Sequence, residues 1–234
     1  MNYVSEKSHK NTELLVVVPM LNEAEQLPEL LMHLSQIKDA QTQIVFVDGG
    51  STDNSVRIVE QAGCSVIESE RGRAVQMNAG ARALSAPVYV FLHADSRLPV
   101  DGINAIRHAI ANGASWGRFD VTIIGKHPML KVIAFMMNWR SRLSGIATGD
   151  QTLFISKEAW EKVDGFPEQP LMEDIDISKR LRSIARPICL HERVITSGRR
   201  WEERGVWKTI FLMWQLRFDY WRGASAEKIA ERYR

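Results

Sequence analysis

Three loops that follow short apolar runs in this 234-residue chain carry carboxylates, an imidazole or a guanidinium. Residues 14–18 lead into Pro19, Asn22 and Glu23, residues 44–47 into Asp48-Gly-Gly-Ser-Thr-Asp53, and residues 88–92 into His93-Ala94-Asp95-Ser-Arg97. In parallel α/β sheets ligands gather beyond the carboxyl ends of the strands, so these loops are where chemistry is expected. Asp48 follows a buried run directly and Asp95 has a similar position two residues further on, and a carboxylate with one side against a sheet is costly unless something pairs with it. A single carboxylate beside a turn suits a hard divalent cation, which takes oxygen ligands and keeps waters and substrate phosphates. For Ser51 and Asp53, an Asp-Gly turn and a helix cap serve equally well without any ligand.

Two further clusters lie downstream. Glu173-Asp174-Ile175-Asp176 opens a helical stretch, where carboxylates suit the helix dipole; one of them at the rim of a partly dry site would also suit a general base. Ser197-Gly-Arg199-Arg200-Trp201 offers two guanidinium groups, either solvated on a loop or pairing with phosphate oxygens. An acid closing the second strand could hold a ribose in a dinucleotide-binding fold. That fold requires GxGxxG after the first strand, where this chain has PMLNE, so a nicotinamide enzyme is not expected.

The elements that must position these groups follow from periodicity. Short β-branched runs at 14–18, 44–47, 65–67 and 88–92 alternate with helical stretches near 27–37, after 53 and at 73–84, the pattern of parallel strands joined by crossover helices. Later, 119–124 and 152–155 read as strands, and 128–143, 157–163 and 174–182 as helices. A strand pair is expected at 187–190 and 194–196, then helices at 206–221 and 226–233. This predicts an α/β fold with a Rossmann-like, mostly parallel central sheet flanked by helices, divided into a polar tail at 1–13, a main domain at 14–200 and a helical extension at 201–234. In the extension Trp207, Phe211, Trp214, Phe218 and Trp221 recur at helical spacing, and Met129, Met136, Met137 and Trp139 crowd the helix at 128–143. Such stripes serve as core or oligomer interface, or as a face for a membrane surface or lipid acceptor.

Composition narrows the function classes. With 45% hydrophobic and 25% charged residues, disorder and collagen-like repeats are excluded. Cys64 and Cys189 stand far apart, so no disulfide framework or zinc site is read, and a reducing cytoplasm is expected. The longest stretch without Asp, Glu, Lys or Arg, 83–94, falls short of the roughly 18–20 apolar residues that span a bilayer, and the polar opening does not read as a signal peptide. A net charge of +2 gives no case for nucleic acid. That near-neutral total is a cancellation: residues 1–178 carry 16 Lys+Arg against 22 Asp+Glu, whereas 179–234 carry 14 against 6, a net of +8. A basic, Trp-rich tail could meet a diphosphate, an anionic acceptor or the inner face of a membrane.

PMLNEAEQL, VDGGSTDNS, FLHADSRLP, GDQTLFISKEAWEKVDGFPE and MEDIDISKRL, in that order, resemble the family 2 glycosyltransferases of GT-A fold from about residue 14 to about residue 183. RGRAVQMNAGA, SGRRWEERGVW and the HAD triplet resemble the small subgroup related to transferases proposed for arsenosugar biosynthesis. The resemblance implies a nucleoside diphosphate sugar donor and a hydroxyl acceptor, small molecule or lipid, with inversion at the anomeric carbon. It implies that Pro19, Asn22 and Glu23 border the nucleotide, that Asp48 contacts base or ribose, and that Arg73 lies in the donor pocket. Asp95 matches the last carboxylate of the family's DxD motif and would hold Mn2+ or Mg2+, with Ala94 between it and His93. Asp174, beside Glu173, matches the catalytic base, and Arg200 and Trp201 would border diphosphate or acceptor. His93 departs from the pattern, standing where the first DxD aspartate belongs. His191 is either a further metal ligand or a structural histidine. The rival readings are a nucleotide-sugar binding protein without catalysis, against which the Glu173-Asp174 pair stands, and a nucleotidyltransferase, whose Gly-rich signature after the first strand is missing.

Overall fold

The structure, a computed structural model, describes residues 12–233, so the polar tail expected at 1–13 lies outside it through residue 11. Strand β1 (Leu14–Met20) runs through the middle of the sheet with all seven residues buried. Its alternation divides the core into two layers, because successive strand residues point to opposite faces. Leu14, Val16 and Val18 face α1 (Leu27–Ile37) and α4 (Gly102–Ala111), packing with Leu27, Leu30, Ile103 and Ile106. Leu15 and Val17 face α3 (Arg73–Ala83), α6 (Lys157–Val163) and α7 (Glu173–Arg182), packing with Met77, Ala81, Trp160 and Ile177. Helix α3 approaches the sheet closely at Gly80, where a Cβ would stand 2.5 Å from Val17 Cγ1.

The other strands are β2 (Thr42–Asp48), β3 (Ser65–Glu68), β4 (Val88–Phe91), β5 (Ser96–Arg97), β6 (Trp116–Ile124), β7 (Leu153–Ser156) and β8 (Ile188–Ser197). They form one sheet in the order β3-β2-β1-β4-β7-β6-β8-β5. The β1, β2, β3 and β4 pairings are parallel, as is β6 with β8, whereas β7 runs antiparallel between β4 and β6 and β5 pairs antiparallel with β8. The carboxyl ends of β1, β2, β4 and β8 therefore share one edge of the sheet, and β7 brings its amino end to that same edge. Helix α2 (Ser55–Gln61) completes the first half, and α5 (Met129–Ser144), α8 (Arg199–Arg204), α9 (Val206–Trp221) and α10 (Ala226–Tyr233) the second.

Two expectations are corrected here. The predicted strand pair at 187–190 and 194–196 is one strand, β8, whose register against β6 slips between Phe119↔Leu190 and Asp120↔Arg193. His191 and Glu192 are the residues left over in that slip, and they interrupt the apolar pattern between the two expected strands. The arginines of SGRRW stand on helix α8 rather than on a loop. Helix α9 packs through Leu216 against Met172, Ile175 and Ile229, which joins the helical extension to α7.

Candidate active site

At the shared edge the loops after β1 and β2 are laced together. Asn22 N donates to Ser51 Oγ at 2.9 Å, Glu23 N to Ser55 Oγ at 2.8 Å, Ala24 N to Asp53 Oδ2 at 3.1 Å, and Thr52 N to Asn22 Oδ1 at 2.8 Å. Ser51 and Asp53 thus act in the turn, and Asn22, held at φ 54°, is part of the same lacing. Below them Gln76 of α3 donates to the carbonyls of Met20 and Val47, both at 2.8 Å, tying the strand ends. Asp48 Oδ2 accepts from Gly50 N at 3.0 Å and Ser51 N at 2.9 Å, while its buried Oδ1 has no partner among the described residues.

Two cavities open at this edge. The smaller, of about 230 Å³, is bordered by Pro19, Glu23, Arg73, Ala94, Asp95 and Arg200, with His93 and Gln76 at its wall. The larger, of about 550 Å³, runs between α5 and α9 and reaches Glu173, Asp174 and Trp201 at its inner end. Arg73, His93, Asp95 and Arg200 line both, so the two spaces meet at a ring of charged groups. Arg200 Nη2 stands 4.0 Å from Glu23 Oε1 across the smaller cavity. Helix α8 is held by Glu202 Oε1, which accepts from Lys126 N at 2.5 Å and His127 N at 2.9 Å.

The amino end of β7 contributes a further residue, Asp150. A 3-10 turn at Gly149–Gln151 precedes β7 and is fixed by a capping box between Thr148 and Gln151. Gln151, fully buried, donates to Asn138 Oδ1 at 3.3 Å and Ser141 Oγ at 3.1 Å on α5. Gly149 N donates to Asp174 Oδ2 at 3.1 Å. Between them Asp150 Oδ1 lies 3.4 Å from His93 Nδ1. Burial opposes the charge of Asp150, but the hydrogen bond from His93, with Arg73 and Arg200 nearby, holds its pKa below the usual carboxylate value.

The carboxylates around the ring are tuned apart. Asp174 is raised to about 6, first by burial and then by the Glu173 charge, with Asp150 adding to it; hydrogen bonds from Gly149 N and Ile175 N work the other way. Glu23 is also raised by burial and by Asp95, against Arg200, Arg199 and Arg73. Burial disfavours the Arg73 cation, yet Glu173, Asp150 and Asp95 together raise its pKa. Asp176 is not part of the ring; it pairs with Arg180 at 2.9 Å one turn along α7. The backbone just before the candidate base is left-handed at Met172 (φ 67°), an uncommon conformation for a non-glycine residue.

Of the residues expected at the site, Pro19, Glu23, Arg73, His93, Ala94, Asp95, Glu173, Asp174, Arg200 and Trp201 line the two cavities. Asn22 and Asp48 stand behind them in the turns. His191 is not brought to the site: it is exposed in the register slip of β8, with Nδ1 3.1 Å from Arg142 Nη2. Among the described residues no three His, Cys, Asp or Glu side chains cluster as a metal cage. Asp95 is the carboxylate at the meeting of the two cavities that could hold a hard cation, whose other ligands are commonly water and substrate phosphates.

The sequence profile described as Glycosyl transferase family 2 matches residues 15–162. The chain belongs to glycosyl transferase family 2. Solved structures show the same fold at low identity. The chain is similar to S. aureus TarS 1–349 in complex with UDP-GlcNAc, with a TM-score of 0.65 and 16% identity over 80% of this chain and 58% of that one. It is similar to the mannosyltransferase PcManGT of Pyrobaculum calidifontis in complex with GDP-Man and Mn2+, with a TM-score of 0.64 and 20% identity over 94% of this chain and 68% of that one. Glucosyl-3-phosphoglycerate synthase of Mycobacterium tuberculosis, bound to Mn2+, UDP and glucosyl-3-phosphoglycerate, gives a TM-score of 0.58 and 17% identity over 80% and 72%. The chain thus spans about three fifths of the length of the TarS fragment. No curated protein sequence matches it. The family match covers β1 through most of α6; α7, with Asp174, and α8, with Arg200, lie beyond it.

Proposed function

We propose that this family 2 chain transfers a sugar from a nucleoside diphosphate sugar to a hydroxyl acceptor in one in-line displacement, with Asp95 as the seat of Mn2+ or Mg2+. The observation that carries this reading is the meeting of a small cavity bordered by Glu23, Arg73, Asp95 and Arg200 and a larger, mainly apolar one at Arg73, His93, Asp95 and Arg200, with Asp174 lining the larger only. The diphosphate would lie in the smaller space and the acceptor would enter from the other, on opposite sides of the anomeric carbon, which gives inversion. Solved structures of similar fold bind UDP-GlcNAc, or GDP-Man with Mn2+, which supports the donor class and the metal. The segments at 71–81 and 197–207 are our grounds for the subgroup related to proposed arsenosugar transferases.

In this mechanism Asp174 takes the acceptor proton as the new C–O bond forms, while the C–O bond to the diphosphate breaks and its electron pair leaves with the phosphate. A carboxylate with a pKa near 6 is ionised at neutral pH and still a stronger base than a solvated one. Arg73 and Arg200 face the charge that builds on the leaving group and need no rearrangement to do so. A divalent cation, when bound, would share that task as a Lewis acid.

The test incubates the full chain with a panel of nucleoside diphosphate sugars, with Mn2+ or with chelator, and follows thermal stabilisation and slow release of nucleoside diphosphate. Metal-dependent stabilisation and release by one donor are expected. Asp174→Asn should lower turnover roughly 100- to 10,000-fold and leave donor binding in place. Unaltered turnover in that variant removes Asp174 from the base role, and undiminished turnover in chelator removes the metal from Asp95.

A further inference from the structure

Helices α5 and α9 leave a large apolar face uncovered. Val132, Phe135, Met136, Trp139 and Leu143 recur at helical spacing on α5 and are all exposed, as are Trp207, Phe211, Trp214, Phe218 and Trp221 on α9. Trp221 is 77% exposed and Phe135 65%, so the aromatic stripe of the extension is not core. The larger cavity opens between these stripes: Val132, Met136, Trp207 and Trp214 belong both to its wall and to the exposed face. An apolar surface is thus continuous with the candidate base, Asp174. Monomeric proteins rarely leave so many contiguous large apolar side chains in water without a use for them.

Charge says what covers the face. Helix α5 contains Lys131 and Arg140 and no acid, its Arg142 being paired with Asp120; α9 contains Lys208 and Arg217 and a single carboxylate, Asp219, which Arg232 holds. A second copy docked across a two-fold axis would set this positive surface against itself, whereas an anionic bilayer complements it. Inside the groove two guanidinium groups lack partners: Arg140 Nε and Nη2 and Arg217 Nε are buried with no hydrogen bond among the described residues. Burial lowers the Arg140 pKa, with Asp174 opposing that effect, so an anion in the groove would relieve a real cost. Each helix has 16 residues, about 24 Å, and no helix among the described residues is long and apolar enough to cross a membrane. Trp, Phe and Lys on such helices are the chemistry of segments that lie in the interface plane.

We propose that the α5–α9 face rests on an anionic bilayer and that the groove between the two helices admits one lipid from it as acceptor, the headgroup phosphate on Arg140 and Arg217 and a headgroup hydroxyl at Asp174. This rests on the transferase reading above and names its acceptor class.

The experiment uses the full chain and vesicles of phosphatidylcholine, with and without phosphatidylglycerol, whose headgroup carries both a phosphate and free hydroxyls. Co-sedimentation should be at least roughly 10-fold stronger with phosphatidylglycerol, since each basic residue near an anionic surface is worth about fivefold, and Phe211→Glu with Trp221→Glu should abolish it. Short-chain phosphatidylglycerol below its micelle concentration should shift the emission of the groove tryptophans to shorter wavelength saturably, and Arg140→Gln with Arg217→Gln should weaken that binding about 10-fold or more. Absence of vesicle binding, retention of it in the Phe211/Trp221 variant, or a dimer in analytical ultracentrifugation that this variant dissolves would overturn the membrane face. Absence of a saturable shift would overturn the lipid site. Stabilisation by donor and Mn2+, measured without lipid, reports separately on the transferase reading: if it persists while the lipid arms fail, only the acceptor class is wrong.

Discussion

Gly149 presses its α-carbon against the imidazole of His93, so closely that a Cβ there would stand 2.5 Å from both Cε1 and Nε2. The ring is thereby held with Nδ1 toward Asp150, and the glycine is needed for close approach rather than for an unusual φ. Gly149→Ala keeps every charge at the site but must displace the His93 ring from its present position beside Asp150. We expect a folded protein, by far-UV circular dichroism, whose kcat/KM falls on the order of 100-fold, the scale of a displacement of about 1 Å at a reaction centre. Parent-like kinetics in Gly149→Ala would show that the placement of His93 does not matter.

Asp174 sets a pH dependence. Its ionised form is the one that accepts a proton, so kcat/KM should rise with pH through about 6 and level off above it. Part of that elevated pKa comes from the Glu173 charge. Glu173→Gln removes a negative neighbour, which favours ionisation of Asp174 and moves the midpoint of the rise to lower pH. A pH–rate profile of the two proteins checks this, and an unmoved midpoint would separate Glu173 from the base.

Behind the site, stability depends on a buried charge network. Arg118 of β6 is fully buried and pairs with Asp120, which also accepts from Arg142 Nη2 at 2.8 Å; Arg118 Nη2 donates to Asn138 O at 3.1 Å. Asp120→Asn would leave the Arg118 charge buried without its counter-ion, a loss of about 3–5 kcal/mol in folding free energy. Urea unfolding measures it. A change well under 1 kcal/mol would mean that Asn138 alone satisfies Arg118.

The order of strands and helices was legible because its signals are local. The unbroken apolar runs of β1 and β4 and the helical spacing of Leu27, Leu30 and Leu34 were enough to place Glu23 and Asp95 at strand ends. Asp150 was not legible. The rule that ligands gather beyond the carboxyl ends of strands holds for parallel sheets, whereas β7 runs antiparallel beside β4 and delivers its amino end, preceded by Gly149–Gln151, to the same edge. Strand direction is decided by long-range pairing, Phe91 with Leu153, and no local pattern records it. The clue that was present is GDQT directly before LFIS, with Asp150 and Gln151 too close to a buried strand to be idle. His191 failed for a related reason: its distance from the site is fixed by a slip in the β6–β8 register, not by its place after the base.

The orphaned oxygen of Asp48 gives the last prediction. Oδ2 is occupied by the amides of Gly50 and Ser51, whereas Oδ1 is buried and unpartnered, an arrangement that native structures tolerate seldom and mostly where a ligand completes it. In Asp48→Asn the side-chain oxygen must keep accepting from Gly50 N and Ser51 N, because an NH2 there would face two donors. The NH2 is then forced to the position of Oδ1, where a free acceptor becomes a donor while the turn survives. If base or ribose donates to Oδ1, nucleoside diphosphate affinity measured by calorimetry should fall roughly 10- to 100-fold, the scale of a hydrogen bond to a charged group. Asp48→Ala, which removes both oxygens, should lose the same affinity and also stability, since Gly50 N and Ser51 N lose their acceptor. Equal affinity in Asp48→Asn and the parent would confine Asp48 to closing the turn after β2.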